Sequence, residues 1–244
     1  NLDYLASSNG FGEFVNSPYL FAGMVVVAAI INFILVAGVK DGIERASKIL
    51  MPTLFIMLLM MVVYVLTLDN AMAGVKFFLI PDVSKLTPAV INGALSQAFF
   101  SLSLGMGILI TYGSYINRKT DIVGSAKLVA LTDTAVAFTA GLMILPAVFS
   151  FNPNVNPAEL SDSSVSLIFT FLPKIFLALQ TSIGYIGASA VAAFFFILVF
   201  FAAITSLVSI LEVPVSYLVT EKQHSRKKAL SILLMTAGLL TVFA

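Results

Sequence analysis

Gln97-Ala98-Phe99-Phe100-Ser101-Leu102-Ser103-Leu104-Gly105-Met106-Gly107 lies in the middle of an uncharged run, residues 86–117, bounded by Lys85 and Arg118. That run is about 32 residues long, whereas about 20 residues of helix cross the hydrocarbon core of a bilayer. A straight helix would overshoot. Two serines and two glycines occupy its centre, and lipid offers no partner to a polar or unwound backbone, so they must face protein or a water-filled cavity. The stretch predicts a helix broken at membrane depth, and such a break predicts a binding site.

The rest of the chain agrees with a membrane setting. Hydrophobic residues make up 59% of the 244 residues and charged residues 10%, against about 25% charged in ordinary globular proteins. Uncharged apolar runs place crossings at 19–39, 49–68, 86–117, 128–150, 184–217 and an unfinished one at 229–244. The predicted class is an all-α integral membrane protein with a single transmembrane domain over residues 1–244. The chain opens on Asn1 and stops at Ala244 inside an apolar run, and it reads as the central piece of a longer transporter-like protein, truncated at both ends. Residues 151–182 are read as an outer loop containing short helices that acts as a lid.

Cytoplasmic loops keep the excess of Lys and Arg. Lys40, Arg45, Lys48, Arg118, Lys119, Lys127, Lys222, Arg226, Lys227 and Lys228 fall on one side, and only Lys76, Lys85 and Lys174 on the other. The loops around Asp41, Thr120 and His224 are therefore assigned to the cytoplasm, and the cluster from Lys222 to Lys228 is read as topogenic. A net charge of +1 gives no footprint for nucleic acid. The chain contains no cysteine and one histidine, which excludes disulfides, thiolate metal sites and a histidine-built metal centre.

Four groups of residues stand out. Gly105 and Gly107 each lower helix stability by roughly 1 kcal/mol relative to alanine; close helix packing is the alternative use of such glycines. If the chain unwinds there, the first half-helix ends near Ser103 with carbonyl oxygens at its negative end, suited to a sodium ion or an ammonium group. Asp133 stands inside an apolar span, where an ionised carboxylate costs at least about 2.5 kcal/mol. It either coordinates an ion or a proton, or hydrogen-bonds structurally to Thr132, Thr134 or another helix. Ala202, Thr205 and Ser206 share one helical face at i, i+3 and i+4, which Ser209 and Ile210 continue. They hold a cation, or the hydroxyls merely bond back to their own backbone. Glu212 is a further acid at membrane depth without an assigned role.

These residues carry a family resemblance. Gln97-Ala-Phe-Phe-Ser-Leu-Ser-Leu-Gly-Met-Gly-Ile-Leu-Ile-Thr-Tyr-Gly-Ser-Tyr115 closely resembles the sixth transmembrane helix of the neurotransmitter:sodium symporters, the LeuT-like transporters of amino acids and amines. Gly42-Ile-Glu-Arg-Ala-Ser-Lys-Ile-Leu-Met-Pro52 is similar to the family's loop into helix five, Asp82-Val-Ser-Lys-Leu86 to the outer segment before helix six, and Phe200-Phe-Ala-Ala-Ile-Thr-Ser206 to the sodium-binding part of helix eight. The similarity runs in order from about residue 20 to the end.

The resemblance implies an incomplete LeuT-like fold, about helices four to nine of two inverted five-helix repeats. It implies that Phe100 is the aromatic lid over the substrate, that the backbone at Phe100 and Ser101 meets the substrate amine, and that Ser103 and Met106 line the side-chain pocket with Ser206 and Ile210. Ser101 and Asp133 would belong to a first sodium site; the Ala202 carbonyl and the Thr205 and Ser206 hydroxyls to a second. Tyr115 matches a tyrosine near the cytoplasmic gate, but the aspartate that the family places at the end of helix eight appears as Thr220, next to Glu221. Either Glu221 substitutes for it or the inner gate closes differently.

Chloride-dependent members carry a serine where Ala137 stands, and many have Asn at the position of Asp133. A fixed carboxylate would repel chloride and replace its charge. The implied function is sodium-coupled uptake of an amino acid, hydrophobic or aromatic, by alternating access, without a chloride requirement and without a cofactor other than coupling sodium ions. The setting is a multi-pass cell membrane of prokaryotic inner-membrane type. The partners are an amino-acid substrate, sodium and the lipid bilayer. A channel would need rings of carbonyls or charges; another solute carrier of the same fold is the remaining alternative. An intramembrane enzyme would need a nucleophile and base or clustered metal ligands, which this composition does not offer.

Overall fold

The apolar runs fold as helices because a helix is the one open segment that satisfies its own backbone in lipid. The computed structural model describes residues 2–7, 10–37, 39–117, 119–153 and 164–243. Among them the elements are α1 (Leu2–Leu5), α2 (Gly10–Val15), α3 (Pro18–Ala37), α4 (Val39–Val65), α5 (Ala71–Leu79), a 3-10 turn (Val83–Lys85), α6 (Pro88–Ser101), α7 (Ile108–Gly113), α8 (Ile122–Phe151), α9 (Ser164–Thr220) and α10 (Arg226–Phe243). Among the described residues four segments are long and apolar enough to cross a membrane: Pro18–Val36, Ser47–Val65, Ile122–Phe151 and Ile168–Thr220. The run 86–117 is not among them, because it is divided between α6 and α7 as its length required.

Several boundaries differ from the sequence reading. Pro18 opens α3, at a position where its missing N–H is one that a helix start leaves unpaired anyway. The basic segment expected as a loop into the second span is helical from Val39 onward, since Ile43 to Lys48 are ordinary helix formers with no proline before Pro52. α8 begins six residues before the predicted 128, because Lys127 bounds an uncharged run but does not stop a helix. Its start is capped by Asp121, whose carboxylate accepts the Gly124 N–H at 3.0 Å. Residues 118 and 154–163, which carry part of the charge argument and of the expected outer loop, lie outside the described residues. The rest of that loop is helical from Ser164, and α9 is interrupted at Gly184 (φ 75°, ψ 163°).

Between α5 and α6 the chain turns on Asp82, whose carboxylate accepts the Ser84 N–H at 3.1 Å and pairs with Lys85 at 3.3 Å. The Ser84 hydroxyl, then Lys85, hold the Asp82 carboxyl below its ordinary range.

The residues form two compact units. One comprises Asn1–Ala22, Met51–Thr87 and Leu131–Val199. Its core is aromatic: Phe176 and Phe195 are fully buried with ring centroids 5.3 Å apart, and Val65, Val148, Ile175 and Leu198 are buried with them. Here α5 approaches α8 backbone to backbone, since a Cβ on Gly74 would lie 2.5 Å from Pro146 Cα and 2.7 Å from the Leu145 carbonyl oxygen. The other unit comprises Gly23–Leu50, Pro88–Ala130 and Phe200–Ala244. Ile31 and Leu35 of α3, Ile204, Val208 and Val215 of α9, and Ala229 and Leu230 of α10 form its core.

Gly74 is the sharpest packing constraint in the first unit. Gly74→Ala meets backbone that cannot move aside and is expected to cost about 1–3 kcal/mol. Gly23→Ala, with nothing within 4 Å of its added methyl, is expected to be neutral or stabilising by up to about 1 kcal/mol. Thermal unfolding of the two variants in detergent, within the full-length protein, checks the contrast.

Candidate functional site

The broken segment belongs to the second unit, and its geometry follows from hydrogen-bond accounting. The Ser103 N–H donates to Phe100 O at 3.0 Å and the Leu104 N–H to Phe99 O at 2.9 Å, with Ser103 left-handed at φ 57°. That is a Schellman turn, which reverses the chain while satisfying the last helical carbonyls. Glycine usually takes the left-handed position; serine there stores about 1–3 kcal/mol of strain. α6 therefore ends at Ser101, two residues before the predicted point, because the turn reaches on to Leu104.

Beyond the turn, Gly105 (φ 83°) and Gly107 (φ 76°) hold conformations that L side chains avoid. Gly107 is doubly constrained, as its Cβ would come within 3.1 Å of Val213 Cγ1 on α9. Among the described residues no backbone N–H donates to the carbonyls of Leu102 to Met106. Five polar oxygens thus stand at the break for another donor or a cation. α7 resumes at Ile108, with the Thr111 N–H on Gly107 O at 3.0 Å.

Phe100 is 67% exposed on α6, Ser103 and Met106 are half-buried in the break, and Ile210 is exposed on α9. The contact of Gly107 with Val213 sets the end of the break against the helix that carries Ser206 and Ile210. On α9, Thr205 Oγ1 donates to Ala202 O at 2.8 Å and Ser206 Oγ to the same oxygen at 3.3 Å. Both sequence readings of these hydroxyls are thus compatible with one geometry: they bond back to their own helix, and in doing so they gather three neutral oxygens at one point. Such a set fits a sodium ion in chemistry.

Asp133 is half-buried on α8 within the first unit. Its pairing with Ser101 as a first sodium site rests on the family resemblance. A cavity of about 540 Å³ in that same unit, lined by Met57, Met60, Tyr64, Leu179 and Phe194 among others, contains none of the predicted site residues.

Sequence reasoning assigned no role to Glu212, a buried and fully paired acid. Glu212 is 1% exposed. Its Oε1 accepts from Tyr115 Oη at 2.9 Å and from Arg226 Nη1 at 3.1 Å, while its Oε2 accepts from Arg226 Nη2 at 2.6 Å. Arg226 Nε donates to Leu35 O at 2.7 Å, tying in the end of α3. Arg226 is therefore a structural partner and not simply one of a topogenic cluster. The acid that meets Tyr115 is Glu212, eight residues before Thr220, whose own hydroxyl donates to Ser216 O at 2.7 Å. One turn nearer the break, Tyr112 Oη and Ser209 Oγ lie 2.9 Å apart. A matched spacing was visible beforehand: Tyr112 and Tyr115 are i and i+3, as are Ser209 and Glu212.

A sequence profile of the sodium:neurotransmitter symporter family matches residues 4–244. A protein of Haemophilus influenzae described as an uncharacterized sodium-dependent transporter is 39% identical over 222 residues, 90% of this chain and 46% of its own length. The sodium-dependent transporter YhdH of Bacillus subtilis, also described as uncharacterized, is 38% identical over 234 residues, 94% of this chain and 48% of its own. The chain spans about half the length of the curated relatives it matches. Among solved structures, that of MhsT in complex with L-phenylalanine superposes with a TM-score of 0.83 at 41% identity, covering 97% of this chain and 53% of MhsT.

Removing one partner of the Glu212–Arg226 pair strands a charge. Arg226→Ala is expected to destabilise by about 3–5 kcal/mol, because Glu212 stays buried. Glu212→Gln is expected to cost less, since the Arg226 side chain is 32% exposed and keeps the Leu35 carbonyl. Denaturation of the full-length variants, compared side by side, checks the order.

Proposed function

The chain belongs to the sodium:neurotransmitter symporter family, and on that premise we propose that the protein it helps to form imports amino acids, hydrophobic or aromatic ones, in symport with sodium by alternating access. It is a multi-pass cell-membrane protein of a transporter family, with part of the LeuT-like fold, and its family members are transporters rather than enzymes. The observation that carries the proposal is a helix broken between Ser101 and Ile108, with Gly107 set against Val213 of α9, the same helix that gathers the Ala202, Thr205 and Ser206 oxygens.

In this reading Phe100 closes over the substrate. The backbone at Phe100 and Ser101 receives the substrate ammonium, which seeks the carbonyl oxygens that a helix end exposes. Ser103, Met106, Ser206 and Ile210 surround its side chain. Met106 adapts to apolar groups of varied shape, and the solved complex of MhsT with L-phenylalanine favours an aromatic or other apolar substrate. Sodium sits at Ala202, Thr205 and Ser206; a second ion, at Ser101 and Asp133, is what the family resemblance implies. Ion binding favours the state that completes the substrate site, so the downhill sodium gradient drives accumulation. Tyr115, held by Glu212, belongs to the inner closure.

Uptake by the full-length protein in proteoliposomes is expected to saturate with substrate and to vanish when the sodium gradient is collapsed. Leucine, phenylalanine or tryptophan should compete with labelled substrate better than lysine or glutamate. Sodium-independent flux that rises linearly with concentration would point to a channel and sink the proposal.

Asp133 supplies a fixed negative charge where chloride-dependent relatives use the anion, so replacing chloride with gluconate is expected to leave uptake nearly unchanged. Asp133→Asn combined with Ala137→Ser is expected to make uptake depend on chloride. A large loss on chloride removal in the unmutated protein would refute this role for Asp133.

A further inference from the structure

α7 and the turn that follows it are held on α9 by two rungs, Tyr112 on Ser209 and Tyr115 on Glu212; the two tyrosine rings meet edge to face with centroids 6.3 Å apart. Proton counting orients the first rung. Ser209 Oγ donates its one proton to Thr205 O at 2.9 Å, so at the 2.9 Å contact it accepts, and Tyr112 is the donor. A directed chain results: Tyr112 hydroxyl to Ser209 hydroxyl to Thr205 carbonyl. Thr205 uses its other polar group, the hydroxyl, on Ala202 O at 2.8 Å. One residue therefore ends the chain that starts on α7 and begins the cluster of oxygens read above as a cation site.

We propose that Tyr112 is a positioning residue for that cation site, acting through Ser209 to hold the Thr205 turn of α9 and its oxygens in register with α7. The inference rests on the reading of Ala202, Thr205 and Ser206 as a sodium site. Each hydroxyl keeps two lone pairs while it donates, but a cation drawn to Ala202 O, Thr205 Oγ1 and Ser206 Oγ repels the two protons aimed at that carbonyl and favours turning them away. The turn that must accommodate this is the one Ser209 grips by its carbonyl. With the Thr205 carbonyl held, the hydroxyl rotates about a fixed backbone; with the grip gone, the backbone shares the movement and the oxygens lose their preset spacing. The Tyr115 rung does not replace the first, because its acceptor Glu212 is engaged by Arg226 and lies two turns from Thr205.

The test uses the full-length protein and reads sodium directly, by the sodium concentration that gives half-maximal thermal stabilisation in detergent and by equilibrium binding of radiolabelled sodium. Tyr112→Phe, which removes one oxygen, is expected to raise half-saturation for sodium about three- to tenfold, the scale of one neutral hydrogen bond. Half-saturation for substrate at saturating sodium should change less than twofold. Ser209→Ala should reproduce the shift, the double variant should be no worse than the worse single one, and Ser209→Thr, which keeps the hydroxyl, should restore the unmutated response. If Tyr112→Phe and Ser209→Ala both fold and both leave sodium half-saturation within twofold, the positioning role is overturned. If sodium neither binds nor stabilises the unmutated protein, the sodium-site reading falls, and this inference with it.

Discussion

Hydrocarbon offers no donor and no acceptor to a peptide group, and that constraint governs every departure from straight helix in this chain. Where the backbone must leave the helix at Ser101, the Schellman turn returns two amides to the Phe99 and Phe100 carbonyls. The carbonyls that follow, from Leu102 to Met106, have no backbone donor among the described residues. They can persist at membrane depth only if something polar meets them. The strain at Ser103 points the same way, since a left-handed serine where glycine would fit costs stability and is retained at sites whose geometry is over-determined.

α9 supplies the surface against which the break is set. Ala202, Thr205, Ser209 and Glu212 follow one another at i, i+3, i+7 and i+10 and so lie along one side of the helix. The adjoining side, through Ile204, Val208 and Val215, is buried in the apolar core with α3 and α10. A helix patterned this way does two jobs at different depths. Its upper turns gather neutral oxygens suited to a monovalent cation. Its lower turn holds a carboxylate that accepts three hydrogen bonds from two side chains. Neutral ligands and a compensated charge differ in consequence: the first can exchange an ion readily, and the second stiffens the end of the unit by joining α3, α9, α10 and Tyr115, two residues beyond α7.

The break was legible in the sequence because two independent signals coincided, an uncharged run too long for one crossing and a Gly-Met-Gly triplet at its centre. The oxygens of Ala202, Thr205 and Ser206 were legible from spacing alone, and the family resemblance gave them a role. Arg226 was not legible, because in a cluster with Lys222, Lys227 and Lys228 the positive-inside rule already explains it. Its partner Glu212 lies 14 positions earlier across the turn at Glu221 to Ser225, and no helical period connects the two. The helical start of α4 and the early start of α8 were missed for one physical reason. Charge decides where a helix can meet lipid, not where hydrogen bonding begins.

α7 is six residues long, far below the roughly 12–15 at which an isolated helix becomes even marginal. Its conformation therefore cannot be its own doing. The left-handed glycine at Gly107 frees its first turn from α6, so α6 does not template it. α9 supplies support from outside: Val213 against Gly107, Ser209 at Tyr112 and Glu212 at Tyr115. A half-helix this short, ordered by side-chain contacts to a neighbour, can be released by breaking a few bonds, without unfolding that neighbour. That property distinguishes a movable element from a spanning helix, whose own ladder would have to be broken first.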